Sequence, residues 1–161
     1  MKKYLIIFAF LIPISFWAQY LLPNEEVIYS FETKNGKKMS LVKDKQNKYI
    51  QYRFGSKTKV EMEFPKDRTK ESWKKFTYKS YHRGGGKQNA GMNLDYLSFT
   101  NNNYKYLLSR TYSAEDESFS TGITVTDSKG KETEIPGIYK SFKGCMCNLQ
   151  DTDVKKEDFG Q

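Results

Sequence analysis

The side chain best suited to acid–base chemistry is the one histidine of the chain, His82. It lies two residues before a run of three glycines, at positions 84–86. Histidine is the side chain whose ordinary pKa lies near physiological pH, so it can serve as acid, base or ligand. Arg83 and Lys87 flank the glycines, and consecutive glycine N–H groups beside two cations can hold an anion. Phosphate-binding loops of this kind lead into a helix, whereas a strand pattern follows here. We therefore expect a mobile connection between strands, with His82, Arg83 and Lys87 as candidate ligand-binding residues.

The spacing of the other reactive side chains does not assemble a catalytic group. Acid–base catalysis by His82 would need an oriented partner, and no serine or cysteine stands in a nucleophile motif. Glu61 and Glu63 alternate with apolar residues, which is typical of solvent-facing charge on a strand. The acidic turn at residues 115–117 lacks the spaced oxygen ligands of a calcium loop. We predict no catalytic residue and no cofactor, and hence a protein that is not an enzyme.

Cys145 and Cys147, with Met146 between them, are the only cysteines and place three sulfur atoms in a row. Thiolate and thioether ligands favour monovalent copper, but no further cysteine or histidine cluster completes such a site. Two cysteines two residues apart on a strand face the same side and could close a local disulfide in an oxidising compartment. We expect a local disulfide or buried thiols, with an intermolecular bond as a further alternative, and no metal.

Residues 1–18 have the layout of a secretory signal peptide. Lys2 and Lys3 precede an apolar run at residues 4–17, and a small residue, Ala18, closes it. The run is shorter than the ~20 residues that span a bilayer, and Pro13 interrupts it; an uncleaved anchor is the alternative. We predict cleavage after Ala18, a periplasmic or secreted mature protein, and no stable membrane span after cleavage.

The net charge and the aromatic content of the chain limit the kinds of partner that it could bind. The full chain has a formal net charge of +8 and 16% aromatic residues, and the leader accounts for two of its lysines. Tyrosines interleaved with basic residues, as in Tyr52-Arg53 and Lys105-Tyr106, could stack on single-stranded nucleic acid. Export makes nucleic acid an unsuitable partner, so we predict a protein or an anionic envelope component instead. The oligomeric state is left open.

Most of the chain alternates apolar and polar residues with period two, the pattern of half-buried strands. The first segment places Val27, Tyr29 and Phe31 on one face, and Asn35-Gly36 then favours a tight hairpin turn. We expect one helical turn within residues 66–74, capped by Thr69 or Asp67. Apart from this helical turn, the alternating pattern predicts strands, and hence an all-β protein.

Turn residues divide the pattern into eight or nine short strands. Hairpin-sized connections favour an antiparallel meander that forms a small barrel or sandwich. We interpret residues 19–150 as a single all-β domain, because no linker or repeat divides it. The charged tail at residues 151–161 lacks periodicity, and we expect it to be frayed.

Four motifs carry a resemblance: YRFG at 52–55, VEMEFP at 60–65, YHRGGG at 81–86 and LSF at 97–99. Over residues 49–112 the chain resembles a group of small exported bacterial β-rich proteins that have no assigned activity. The resemblance implies a secreted or periplasmic β-rich domain and implies no activity. In size, export and β-content the chain is also similar to periplasmic lysozyme inhibitors, although their short Ser-Gly loop motif is missing and its basic charge would repel basic lysozymes.

The leader, the missing acid–base group and the aromatic β pattern favour a non-enzymatic exported binding domain for a protein or an anionic envelope partner. The alternative is an immunity or inhibitor protein that neutralises a periplasmic toxin or hydrolase.

Overall fold

A computed structural model describes residues 20–87 and 89–159, and these residues form two packed β-sheets. The signal peptide and the cleavage point after Ala18 lie outside the described residues. No helix within the described ranges is long and apolar enough to cross a membrane.

Residues 20–87 and 89–159 form eleven strands, numbered in chain order. They are β1 (Glu25–Glu32), β2 (Lys37–Asp44), β3 (Ile50–Ser56), β4 (Lys59–Phe64), β5 (Thr77–Arg83), β6 (Met92–Asn101), β7 (Tyr104–Ser113), β8 (Ser118–Thr126), β9 (Glu132–Pro136), β10 (Lys143–Gly144) and β11 (Lys155–Glu157). Three short 3-10 helices lie between them, at Lys70–Lys75, Tyr139–Ser141 and Met146–Leu149.

The strand order is β10-β1-β2-β3-β4 in the first sheet and β11-β5-β6-β7-β8-β9 in the second. Neighbours pair antiparallel, except that β11 runs parallel to β5. The predicted all-β class is confirmed, and of the two predicted arrangements the structure has the sandwich-like one. The predicted count of eight or nine strands is wrong, because β10 and β11 have two and three residues and are too short to show an alternating pattern.

Aromatic side chains from both sheets meet in the core between them. The ring of Phe99 in β6 lies 5.0 Å from Tyr52 in β3, 4.6 Å from Phe64 in β4 and 4.8 Å from Tyr106 in β7, measured between centroids. Contacts of this kind add about 0.5–1.5 kcal/mol per pair beyond the burial of apolar area. These contacts show which face of each sheet is directed toward the core, and therefore also which face is directed toward solvent.

A bulge in β1 changes the face that its side chains occupy. The register of β1 against β2 shifts between Val27 and Tyr29. Val27 is consequently 37% exposed while Ile28 is buried with Tyr29 and Phe31, so the predicted placement of Val27 on the core face is wrong. A bulge inserts one residue into one strand and reverses the alternation that precedes it.

The predicted helical turn is present as the 3-10 helix Lys70–Lys75. Thr69 is its N-cap, and its side-chain oxygen accepts a hydrogen bond from the N–H of Glu71. The helix buries Trp73, whose indole N–H donates to the carbonyl of Asn47. This contact holds the helix against the end of the first sheet, directly before β5 begins.

The charged tail contributes to the fold of the second sheet. β11 pairs with β5, placing Lys155 beside Thr77 and Glu157 beside Lys79. Val154 is buried in the core, and Phe159 packs against the opposite, outer face of this sheet. The tail that we expected to be frayed therefore places side chains on both the core-facing and the outer face of the second sheet.

Candidate functional site

The outer face of the second sheet is the strongest candidate for a binding surface. In β5 the buried Tyr78 faces the core, so Thr77, Lys79, Tyr81 and Arg83 face outward by the alternation of a strand. The register of β5 with β6 sets Thr77 opposite Ser98 and Lys79 opposite Tyr96. These outward residues form a continuous surface across the two strands.

Two adjoining cavities are lined by residues of this face, and the second also reaches the core-facing rings of Phe64 and Phe99. A cavity of about 360 Å³ is lined by Thr77, Lys79, Tyr96, Ser98, Lys105, Leu107, Glu157 and Phe159. A second, of about 320 Å³, is lined by Phe64, Lys74, Lys75, Thr77, Ser98, Phe99, Thr100 and Lys105. Thr77, Ser98 and Lys105 line both cavities, so the two form one trough with a hydroxyl-bearing floor.

Positive charge surrounds this trough. We use the name basic track for Lys75, Lys79, Arg83 and Lys105, which lie on or beside the outward face of β5 and β7. Within the described ranges no carboxylate lies within 4.0 Å of any of these four side chains. Their charge is therefore available to an anion from solution.

One carboxylate stands within the trough. Glu157 in β11 accepts a hydrogen bond from Lys155 at 3.0 Å. That hydrogen bond, together with the positive charges of Lys155, Lys79 and Lys105, lowers the pKa of Glu157. Glu157 is thus ionised at neutral pH and adds one negative charge to the edge of the trough, beside Lys79.

The aromatic ring of Phe159 lies over the middle of the basic track. The Phe159 ring lies 6.0 Å from Tyr81 and 5.8 Å from Tyr96, and the Lys79 Nζ sits 4.5 Å above its centroid. The pairing of β11 with β5 brings Phe159 to this position. A ligand in the trough would therefore meet ring surfaces as well as cations.

The structure does not bring the three predicted ligand-binding residues together. His82 and Arg83 are neighbours in β5, so their side chains face opposite sides of the sheet. Arg83 Nε donates to the carbonyl of Ala90 across the glycine loop at 3.0 Å, while Lys87 is exposed in that loop. Of the three, Arg83 belongs to the outward face that carries the basic track.

His82 instead lies at the edge of a buried polar cluster. Its Nδ1 is 2.9 Å from Oδ1 of Asn93, and its Nε2 is 3.8 Å from Oδ1 of Asp95. Asp95 is fully buried and accepts hydrogen bonds from the Tyr78 hydroxyl at 2.6 Å and from Arg110 at 2.8 Å. Arg110 supplies the positive charge that balances the carboxylate, so the cluster has a structural role, and His82 is its most exposed member, with 51% of its side chain accessible against 17% for Arg110.

A second network of ion pairs and hydrogen bonds, around Arg53, was not predicted from the sequence. Arg53 in β3 is fully buried and binds both oxygens of Glu25, at 2.6 and 2.7 Å, and Glu63 at 2.9 Å. Burial alone would raise the pKa of Glu25, but hydrogen bonds from Arg53, the Leu22 N–H and Tyr49 outweigh it and lower the pKa. The prediction that Glu63 serves as solvent-facing charge is therefore wrong.

Cys145 and Cys147 are joined by a disulfide bond, and Met146 between them is buried in the core. Of the alternatives left open by the sequence, the structure has the local disulfide. Among residues 20–87 and 89–159, no group of three or more histidine, cysteine, aspartate or glutamate side chains could hold a metal ion.

The fold and this surface together define a small all-β sandwich-like domain with a basic outer face. Comparisons with protein-family models, with curated proteins and with solved structures found no match for the chain. The resemblance to small exported β-rich proteins thus stays a prediction.

Proposed function

We propose that the mature chain is an exported, non-enzymatic binding domain for an anionic envelope component and that the basic track is its contact surface. The observation that carries the proposal is the arrangement of Lys75, Lys79 and Lys105 around a shared hydroxyl floor without a carboxylate within 4.0 Å among the described residues.

Electrostatics supports an anionic partner at this surface. Like charges gathered on one face of a sheet repel one another, and this costs free energy that a bound anion would recover. The lysines are half-buried or exposed, so an anion can reach them without displacing the core. Thr77 and Ser98 between them add hydroxyl groups that donate to anionic oxygens.

The experiment measures binding of the mature domain, residues 19–161, to polygalacturonate, polyphosphate and phosphatidylglycerol vesicles. The test variant is Lys79→Gln with Lys105→Gln. The control variant is Lys34→Gln with Lys48→Gln, which removes the same charge from two exposed turn residues near the first sheet.

We expect at least one of the three anions to bind the native domain and the control alike, to bind the test variant about tenfold more weakly, and to be released by salt. Equal loss of binding in both variants would show an effect of net charge alone and would contradict the proposal. So would the absence of binding to all three anions.

The alternative, an immunity or inhibitor protein, is supported by a different surface. Tyr139 and Ile138 are 49% and 41% exposed, and Tyr139 packs on Phe119 with the ring centroids 4.3 Å apart. Exposed tyrosines of this kind are enriched among the residues that carry most of the binding energy of a protein interface. Envelope extract passed over immobilised native domain and over Tyr139→Ser tests this: a hydrolase or toxin retained by the first alone would favour the alternative over an anionic partner.

A further inference from the structure

We propose that the partner of the basic track is a linear acidic polysaccharide whose charged sugars are separated by neutral ones. This inference rests on the proposed function and narrows it from anions in general to one class of polymer.

The length of the track favours a polymer. The outward residues of β5 run from Thr77 to Arg83, a strand of seven residues whose ends lie about 20 Å apart at the rise of a strand. Lys75 and Lys105 stand at one end of this line and Arg83 at the other. A single phosphate or sulfate could contact one end only, whereas an extended chain contacts both.

The aromatic surface favours sugar rings over a purely ionic chain. Phe159, Tyr96 and Tyr81 lie side by side midway along the line, and Leu107 adds apolar surface to the same cavity. The C–H face of a pyranose ring is apolar and buries well against such rings, whereas a phosphate chain offers no apolar surface to bury.

The floor of the trough suits hydroxyl-rich ligands. Thr77 and Ser98 line both cavities, and Thr100 lines the second. Each hydroxyl group donates one hydrogen bond and accepts others, so it can exchange hydrogen bonds with the hydroxyl groups of a sugar.

The position of Glu157 sets the charge spacing of the ligand. Its ionised carboxylate stands beside Lys79, between the two positive ends of the track. An anionic group there would be attracted by Lys79 and repelled by Glu157, so the two effects partly cancel, whereas at the two ends of the track it would meet cations alone. A polymer with charge on alternate sugars fits this pattern better than one with charge on every unit.

Four probes distinguish these features: hyaluronan fragments of increasing length, with one carboxylate per disaccharide; polygalacturonate, with one per sugar; polyphosphate; and phosphatidylglycerol vesicles. Binding to the mature domain is measured by calorimetry. We expect hyaluronan to bind most tightly per charge and its affinity to rise with length until the fragment spans the ~20 Å track.

Two variants test the ring surface and the carboxylate separately. Phe159→Leu keeps an apolar side chain after β11 but removes the aromatic ring. We expect this variant to bind hyaluronan about fivefold more weakly than the native domain does and to bind polyphosphate with unchanged affinity. Glu157→Gln should strengthen polygalacturonate and polyphosphate more than hyaluronan. Thermal melting of each variant verifies that the fold is retained.

If polyphosphate or vesicles bind in a manner that depends on Lys79 and Lys105 while neither polysaccharide does, this inference fails and the proposed function stands. If no probe binds, both fail. Equal effects of Phe159→Leu on hyaluronan and polyphosphate would also overturn the assignment of a sugar-binding ring surface.

Discussion

Three lysines of the first sheet differ from the basic track in their partners. In the first sheet and its turns, Lys37 pairs with Glu61 at 2.6 Å, and Lys43 with Glu26 at 2.7 Å. Lys57 in the β3–β4 turn pairs with Glu32 at 3.0 Å.

On the outer face of the second sheet, the four cations of the basic track have no such partner among the described residues. Paired charge contributes to the folded state, whereas unpaired charge of one sign contributes only when a ligand arrives. The contrast predicts that removal of a paired lysine from the first sheet lowers stability and that removal of a lysine from the basic track lowers binding.

The largest effect is expected where the first sheet buries its charge. Arg53→Met leaves the carboxylate of Glu25 buried without its cation, and we expect the free energy of unfolding to fall by about 3–5 kcal/mol. Denaturant unfolding measures this loss. A loss below ~1 kcal/mol would mean that the Arg53–Glu25 contact does not stabilise the sheet.

Acid should weaken the same region. The lowered pKa of Glu25 means that its contribution to stability is present above its unfolded pKa, ~4.3, and is lost as the pH falls through its folded pKa. Unfolding midpoints at pH 6 and pH 3 should therefore differ, with the lower stability at pH 3. Glu25→Gln should be less stable at pH 6 and should show a smaller change between the two pH values; an unchanged difference would assign the acid sensitivity to other carboxylates.

Removal of track lysines should separate binding from stability. In Lys79→Gln with Lys105→Gln we expect affinity for the bound anion to fall about tenfold while the free energy of unfolding changes by less than ~0.5 kcal/mol. Calorimetry and denaturant unfolding on the same sample measure the two quantities. A large loss of stability would give these lysines a structural role and remove the contrast between the sheets.

The smallest effect compares one lysine from each sheet. Lys43→Gln removes a partly exposed ion pair and should cost about 0.2–1 kcal/mol, whereas Lys105→Gln should cost nothing or slightly stabilise the fold. Differences of this size need chemical denaturation at low salt, since salt screens exposed pairs. Equal losses in the two variants would show that their pairing does not matter.

Local patterns predicted much of the fold. Alternation predicted the all-β class and the first strand, and the hairpin turn predicted at Asn35-Gly36 is present, with Gly36 at a φ of +78°. Short strands that depend on a distant partner, β10 and β11, could not be predicted, because two or three residues carry no periodicity.

The site was harder to predict because it depends on register. Alternation shows that Lys79 and Thr77 share a face, but the pairing of Thr77 with Ser98 decides which residues lie beside them. Phe159 reaches the track only through the parallel pairing of β11 with β5. Glu25 and Arg53 meet from different strands, so no short motif marks their contact. The glycine loop, which is visible in the sequence, contributed Arg83 alone to this face.

The most direct test of the account is a map of the backbone amides that an anion perturbs. The mature domain labelled with ¹⁵N is titrated with hyaluronan fragments and with polygalacturonate, and amide shifts are followed by NMR. We predict that the perturbed amides cluster in β5, in β6 from Tyr96 to Thr100, and around Lys105 and Phe159. Shifts centred on the first sheet or on Ile138 and Tyr139, or no shifts with either polymer, would contradict the assignment of the basic track as the binding surface.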